Sequence, residues 1–164
     1  MRALFLLLCL LPVLHAESAA GLKWTAPAGW KNQGSRPMRA ATYVVEDAEC
    51  AIYFFGAGHG GTVEDNLERW KNQFTLPGGK PAEAKVKKRT VHGLPVTTIE
   101  TSGEYSGMGG PLAEHPTTKS GYRLIGAIVE GPGGNVFLKF VGPAKTIAAN
   151  EKNFETLLAS FDKR

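Results

Sequence analysis

Two segments of this chain have the apolar spacing of an amphipathic helix, and strand-like sequence fills most of the chain around them. In the first segment the apolar residues recur at steps of four, three and four: Val63, Leu67, Trp70 and Phe74. Thr62, with Asp65 three residues later, predicts an N-cap with a capping box, and Pro77-Gly78-Gly79 predicts the end of this helix.

The second helical segment follows Pro143, with Thr146 as its predicted N-cap. Its inner stripe is apolar except for one asparagine: Ile147, Asn150, Phe154, Leu157, Leu158 and Phe161. This spacing predicts a helix that runs nearly to the last residue.

The remaining segments are short, rich in β-branched and aromatic residues, and separated by glycine, proline or acidic turns. They predict strands at residues 22–26, 39–45, 49–55, 83–91, 94–103, 122–130 and 136–141. Hairpin-like spacing predicts a mainly antiparallel sheet. With two amphipathic helices to cover it, the predicted class is α+β, an antiparallel sheet flanked by helices.

The first sixteen residues have the layout of a secretory signal peptide. Met1-Arg2 is positive, residues 3–14 form an apolar run of twelve, and Ala16 precedes the expected cut before Glu17. The run is shorter than the roughly 20 residues of a membrane-spanning helix. We therefore expect a secreted or periplasmic protein that is not membrane-embedded, with one globular domain at residues 17–164.

The charge of the expected mature chain is only mildly positive. Of the 19 Lys and Arg residues the leader contains only Arg2, which leaves 18 basic against 15 acidic residues, a net +3. A nucleic-acid-binding protein usually concentrates its basic residues on one face. Together with the expected export, this argues against a nucleic-acid partner.

Cys50 is the one cysteine outside the leader. A lone thiol in an oxidising compartment is either reactive, pairs between chains, or is a small buried hydrophobe. Its place at the start of an apolar strand and its acidic neighbours, which raise a thiol pKa, favour the buried interpretation.

Two further patterns have both a functional and a structural interpretation. The glycine-rich segment 56–61 leads into a helix N-terminus, which suits an anion, but Glu64 and Asp65 already place negative charge there, favouring a tight connection with an exposed His59. Three basic residues alternate along one predicted strand: Lys85, Lys87 and Arg89. An edge strand protected from aggregation is favoured over an anion-binding patch.

The sequence contains no arrangement that identifies a catalytic, cofactor or metal site. It has no HExxH, CxxC, GxSxG or P-loop motif. A metal site would need His59, Glu114 and His115 to converge from separate segments, and their spacing does not require it. We therefore assign no catalytic residue, no cofactor and no metal.

The connection from Tyr105 to Gly121 is the preferred contact surface for a partner. It has seventeen residues, and loops of this length are often functional. The candidate partner-binding residues are His59, Tyr105, Met108 and His115.

Several short motifs resemble the PsbP-like superfamily across roughly residues 21–162. They comprise Trp24 with Pro27-Ala28-Gly29-Trp30, the helix at 66–74, Val136 to Pro143, and a last helix ending in Phe154, Leu158 and Phe161. The resemblance is strongest to uncharacterised bacterial secreted members. It implies an α/β/α sandwich and a role in binding rather than catalysis, and it transfers no binding residue to this chain.

The expected function is thus an exported soluble binding or accessory protein without catalytic activity, whose partner is an exported protein or a cell-envelope component. Two alternatives stay open. An exported metal-dependent hydrolase would need the histidine convergence described above. A small-ligand carrier would need a closed apolar cavity of several hundred Å³ between sheet and helix.

Overall fold

The computed structural model describes residues 16–107 and 118–164. None of the helices within those residues has the length and hydropathy needed to cross a bilayer. The elements follow in this order: β1 (Ala16–Ala19), β2 (Leu22–Thr25), β3 (Lys31–Asn32), β4 (Arg39–Val45), β5 (Ala48–Tyr53), α1 (Val63–Lys71), β6 (Phe74–Leu76), β7 (Lys80–Pro81), β8 (Ala84–Val91), β9 (Leu94–Tyr105), β10 (Lys119–Gly131), β11 (Gly134–Pro143), α2 (Ala144–Ala159) and β12 (Asp162–Lys163).

A large antiparallel sheet organises the fold, as the sequence predicted. Its order is β3-β4-β5-β11-β10-β9-β6-β7, and β8 pairs with the same edge of β9. A small sheet joins β1, β2 and β12. The β8–β9 hairpin turns at His92-Gly93, where both residues have positive φ, as a two-residue hairpin of the primed type requires.

The two helices lie on opposite faces of the large sheet. Successive side chains of a strand point to opposite faces, so alternate residues of β11 contact different helices. On β11, Val136, Leu138 and Phe140 pack in the cluster under α2. Phe137 packs in the cluster under α1, and Lys139 points to that same side. The expected α/β/α arrangement is therefore present.

The α2 face is filled by aromatic side chains. The Trp24 and Phe161 rings stack at 5.1 Å between centroids, and Phe140 lies between Trp30 and Phe154 at 4.9 and 5.7 Å. The indole nitrogen of Trp24 donates to the Tyr43 hydroxyl at 2.9 Å. Burial of these rings with a partnered polar atom makes this face the main core.

The α1 face is held by a close contact between Trp70 and the backbone of β10. A Cβ placed on Gly126 would lie 2.6 Å from the Trp70 ring. The absence of a side chain at Gly126 lets the indole rest on the sheet beside Ile99 and Phe137.

Three sequence expectations about element ends are wrong. Helix α1 ends at Lys71, and Phe74 instead lies in β6 opposite Tyr105, which gives its side chain the same burial by strand pairing. Helix α2 begins at Ala144 after Pro143, and the Thr146 hydroxyl donates to Asp47 at 2.6 Å rather than capping. Strand β9 continues to Tyr105, and strand β10 already begins at Lys119. Both ends of the expected loop, residues 105–121, therefore belong to strands.

Candidate functional site

The four partner-binding residues expected from the sequence are distributed as follows. His59 is exposed in the connection before α1, where it lines an open groove of about 350 Å³ with Gly134 and Asn135. Tyr105 is half-buried at the end of β9. Met108 and His115 lie outside the described residues, as does Glu114. His59 and Tyr105 can therefore be placed, and the roles of Met108 and His115 stay predictions.

No metal-binding group emerges among the residues that the structure describes. Within residues 16–107 and 118–164, no three His, Cys, Asp or Glu side chains are close enough to hold an ion. The convergence of His59 with Glu114 and His115 that a metal site would require is not tested, because Glu114 and His115 lie outside the described residues.

Cys50 is a buried packing residue, which confirms the favoured interpretation. It lies on β5 between Tyr43 and Phe140, with none of its surface exposed. Burial, followed by the nearby Glu49 carboxylate, raises the pKa of its thiol. A thiol held in this form is inert.

The N-terminus of α1 is already satisfied by its own residues. The Thr62 hydroxyl accepts from the Asp65 amide at 3.1 Å, and the Asp65 carboxylate accepts from the Thr62 amide at 3.3 Å. These hydrogen bonds lower the pKa of Asp65. They support a tight strand-to-helix connection over a phosphate cradle.

The basic residues Lys85, Lys87 and Arg89 are exposed along β8. Arg89 pairs with Glu155 of α2 at 2.6 Å. In the described part of the chain β8 pairs with β9 alone, which supports the interpretation as an edge strand guarded by charge.

The unusual group of the α1 face is a buried lysine that the sequence analysis missed. Lys139 is 4% exposed, and its ammonium donates to the Gln73 side-chain oxygen and, at 3.0 Å, to the Tyr105 hydroxyl. Its neighbours across the sheet are Ala51 and Gly126. The Trp70 ring fills the space above Gly126 and lines the same cavity as Lys139.

Strand pairing brings the two acceptors to Lys139. Gln73 follows the end of α1. Its backbone carbonyl accepts from the backbone amide of Ser106 at 3.0 Å and from the Ser106 hydroxyl at 3.2 Å. Phe74 pairs with Tyr105 in the next register position. Residues far apart in the chain therefore converge on one amine.

Burial sets the acid–base properties of this cluster. It lowers the pKa of Lys139 to about 8, with a further decrease from Arg39 and an opposing effect of Glu49. Burial also raises the pKa of Tyr105 to about 12, so this phenol stays neutral. Arg39 and Glu49 pair with each other at 2.9 Å. The cluster thus carries more positive than negative charge.

Aromatic and cationic side chains extend from Lys139 to the solvent. The rings of Tyr105 and Tyr122 stack at 5.8 Å, Lys119 lies over Tyr122 at 5.4 Å, and Arg39 lies over Tyr53 at 5.2 Å. We call these five residues the tyrosine surface. Tyr105, Lys119 and Tyr122 lie near the end of β9 and the start of β10, and Arg39 and Tyr53 pair with each other across β4 and β5.

A partly open cavity of about 60 Å³ lies between α1 and the sheet, with Lys139 in its wall. Aromatic rings supply much of the remainder: Tyr53, Phe55, Trp70 and Phe137. Four larger and more open grooves, of about 240 to 610 Å³, lie elsewhere on the described surface. The cavity and the tyrosine surface together form the candidate binding site.

The sequence does contain a signal for Lys139. It is the one charged residue within the apolar run from Val136 to Val141, which is long enough to be buried on both faces. A lysine in such a strand is expected to be buried, whereas its partners Gln73 and Tyr105 depend on the fold.

No protein-family model matches this chain, and no curated protein matches it significantly. Among solved structures, the cyanobacterial PsbP (CyanoP) from Synechocystis sp. PCC 6803 matches with a TM-score of 0.56 and 14% identity over 92% of each chain. The protein of unknown function PA94 from Pseudomonas aeruginosa matches with a TM-score of 0.50 and 10% identity, over 92% of this chain and 97% of that one. These matches show a PsbP-like fold, as the sequence resemblance implied.

Proposed function

We propose that this chain is an exported binding or accessory protein that holds an acidic partner protein on the tyrosine surface and catalyses no reaction. The observation that carries the proposal is the surface itself. Tyrosine and arginine are enriched where protein interfaces concentrate their binding energy, because they bury a large area with few rotatable bonds. Here they are half-buried and already stacked.

Charge complementarity indicates the kind of partner. Arg39, Lys119 and Lys139 lie at or beside the surface, and Glu49 is the carboxylate paired with Arg39. Opposite charges steer encounter and align the two proteins. An exported protein that presents acidic side chains fits this surface better than a basic or purely apolar one.

Export rests on the leader at residues 1–16, and the expected cut removes only the first residue of β1. Glu17 belongs to β1, and its carboxylate accepts from the Tyr43 hydroxyl at 2.7 Å and from the side-chain amide of Asn32. Cleavage after Ala16 therefore keeps this network. N-terminal sequencing of the protein recovered from the periplasm or medium should begin at Glu17. An uncleaved chain in the cytoplasm would contradict export.

The observations favour neither alternative function. The largest side chains expected to fill the interior are 0–5% exposed: Trp70, Phe74, Phe154 and Phe161. The cavity beside Lys139 is about 60 Å³, well below the several hundred Å³ of a carrier pocket.

A photo-crosslinking residue in place of Tyr122 tests the partner surface in living cells. The matched control carries the same residue in place of Lys152, which is exposed on α2 at the opposite face. We expect one recurring exported protein to crosslink from position 122 only, and less of it at high salt. Equal products, or none, from both positions would reject this surface.

A further inference from the structure

The cavity beside Lys139 differs in charge from the larger grooves. Its lining contains the cations Lys139 and Arg69 and the amides of Asn66 and Gln73, with no Asp or Glu among the described residues. Each of the four larger grooves contains at least one carboxylate. Of these five sites, the cavity is therefore the one suited to an anion.

The Lys139 ammonium also lacks a counter-charge in the described part of the chain. It has three protons to donate, and its two acceptors, Gln73 and Tyr105, are both neutral. No ion pair with Asp or Glu forms there, and the nearby Glu49 is engaged by Arg39. A buried cation without an anionic partner costs free energy, which a bound anion would recover.

We propose that this cavity binds the carboxylate group of a small organic acid, with the Lys139 ammonium as its main donor and the Arg69 guanidinium as a second cation. The cavity, of about 60 Å³, is far smaller than the several hundred Å³ of pockets that enclose whole cofactors or drug-sized ligands, so it suits a ligand of few atoms. Acetate has this size, and a nucleotide or sugar phosphate does not. The inference goes beyond the proposed partner surface, because a free acid can bind without any protein partner.

The apolar walls add a preference within this class. Phe55, Trp70 and Phe137 present ring carbons to the cavity, and Trp70 is fixed by its contact with Gly126. A methyl group gains free energy from such walls, whereas a second charged group loses it. Acetate is therefore expected to bind more tightly than formate.

The test is a titration of the full chain with sodium acetate against sodium chloride at equal ionic strength. The thermal unfolding midpoint and the NMR signal of the Lys139 side chain are followed. We expect a saturable response to acetate, with a Kd on the order of millimolar, and no saturable response to chloride. Equal responses to the two salts would overturn the proposal.

K139M should abolish acetate binding. If this variant does not fold, two variants on α1 provide an independent test. R69Q removes the second cation and should weaken acetate binding about two- to fivefold, as expected for a rim charge. K71Q removes a half-buried charge that pairs with Glu68 outside the cavity and should change nothing. Identical affinities for R69Q and K71Q would contradict the assignment.

A competition experiment identifies the source of the carboxylate. The competitor is a short peptide with blocked ends and one glutamate, and its control has glutamine instead. Displacement of acetate by the glutamate peptide alone would assign the site to an acidic side chain of a partner. Acetate binding that neither peptide affects would assign it to a free acid.

Discussion

The two faces of the large sheet solve the packing problem differently. Under α2, aromatic and aliphatic side chains fill the space, and the polar atoms of Trp24 and Trp30 find partners at Tyr43 and Asn150. Under α1, one indole rests on Gly126, and a charged amine lies beside it. The α2 face stabilises the fold through its packed core, whereas the α1 face contains the buried Lys139 ammonium, which costs folding free energy. A local cost of this kind is typical of a functional site.

The largest expected effect comes from removing a ring on the α2 face. Phe154→Ala leaves a cavity beside Phe140 in the fully packed core and should lower the free energy of unfolding by about 3–5 kcal/mol. Leu67→Ala, on the partly exposed stripe of α1, should cost about 1–2 kcal/mol. Urea unfolding of both variants measures the difference, and equal losses would remove the contrast between the faces.

The next effect comes from Lys139 and depends on pH. The folded chain releases this proton near pH 8, but the unfolded chain keeps it to about pH 10.4, so between these values the unfolded state binds more protons. Rising pH should therefore stabilise the wild type relative to Lys139→Met, by about 2.5 kcal/mol between pH 7 and pH 10.

Urea unfolding across this pH range checks the effect, with Lys119→Met as the exposed control that should show none. The ionisable groups that face Lys139 or share its cavity are Arg39, Glu49, Tyr53, Arg69 and Tyr105. They are the same in both variants, so their own titration cancels. A stability difference that stays constant with pH would mean that Lys139 is not desolvated as the structure indicates.

The smallest expected effect is at the start of α1. Thr62→Ala removes the acceptor for the Asp65 amide and should cost about 1 kcal/mol, because the N-cap hydrogen bond is lost. Thr62→Ser keeps the hydroxyl and should be close to wild type. Thermal unfolding of the two variants separates the cap from other roles of Thr62, and equal losses would contradict it.

Much of the fold could be predicted because apolar spacing reports which side of an element is buried. The α2 stripe is an example, since five predicted members lie buried in the helix and Phe161 lies buried just after it. The same spacing misled at Phe74, because a residue buried from a strand fits the helical period equally well. Thr146 was mistaken for a cap because its acceptor, Asp47, lies 99 residues away in the chain.

The candidate site was only partly predictable. Tyr105 was selected because it begins a long connection, and its hydroxyl accepts from Lys139; its role in partner binding stays a prediction. The burial of Lys139 could have been read from its apolar strand, but its partners Gln73 and Tyr105 lie 66 and 34 residues away in the chain, a relation that no local pattern shows. Sites built by strand pairing become visible only when the register is known.

The contact between Gly126 and Trp70 also constrains how this chain can diverge. Because a Cβ at position 126 would lie 2.6 Å from the indole, alanine there requires a smaller residue at position 70. The two positions, 56 residues apart in sequence, should therefore substitute in concert among homologues, and glycine at 126 should accompany a large ring at 70.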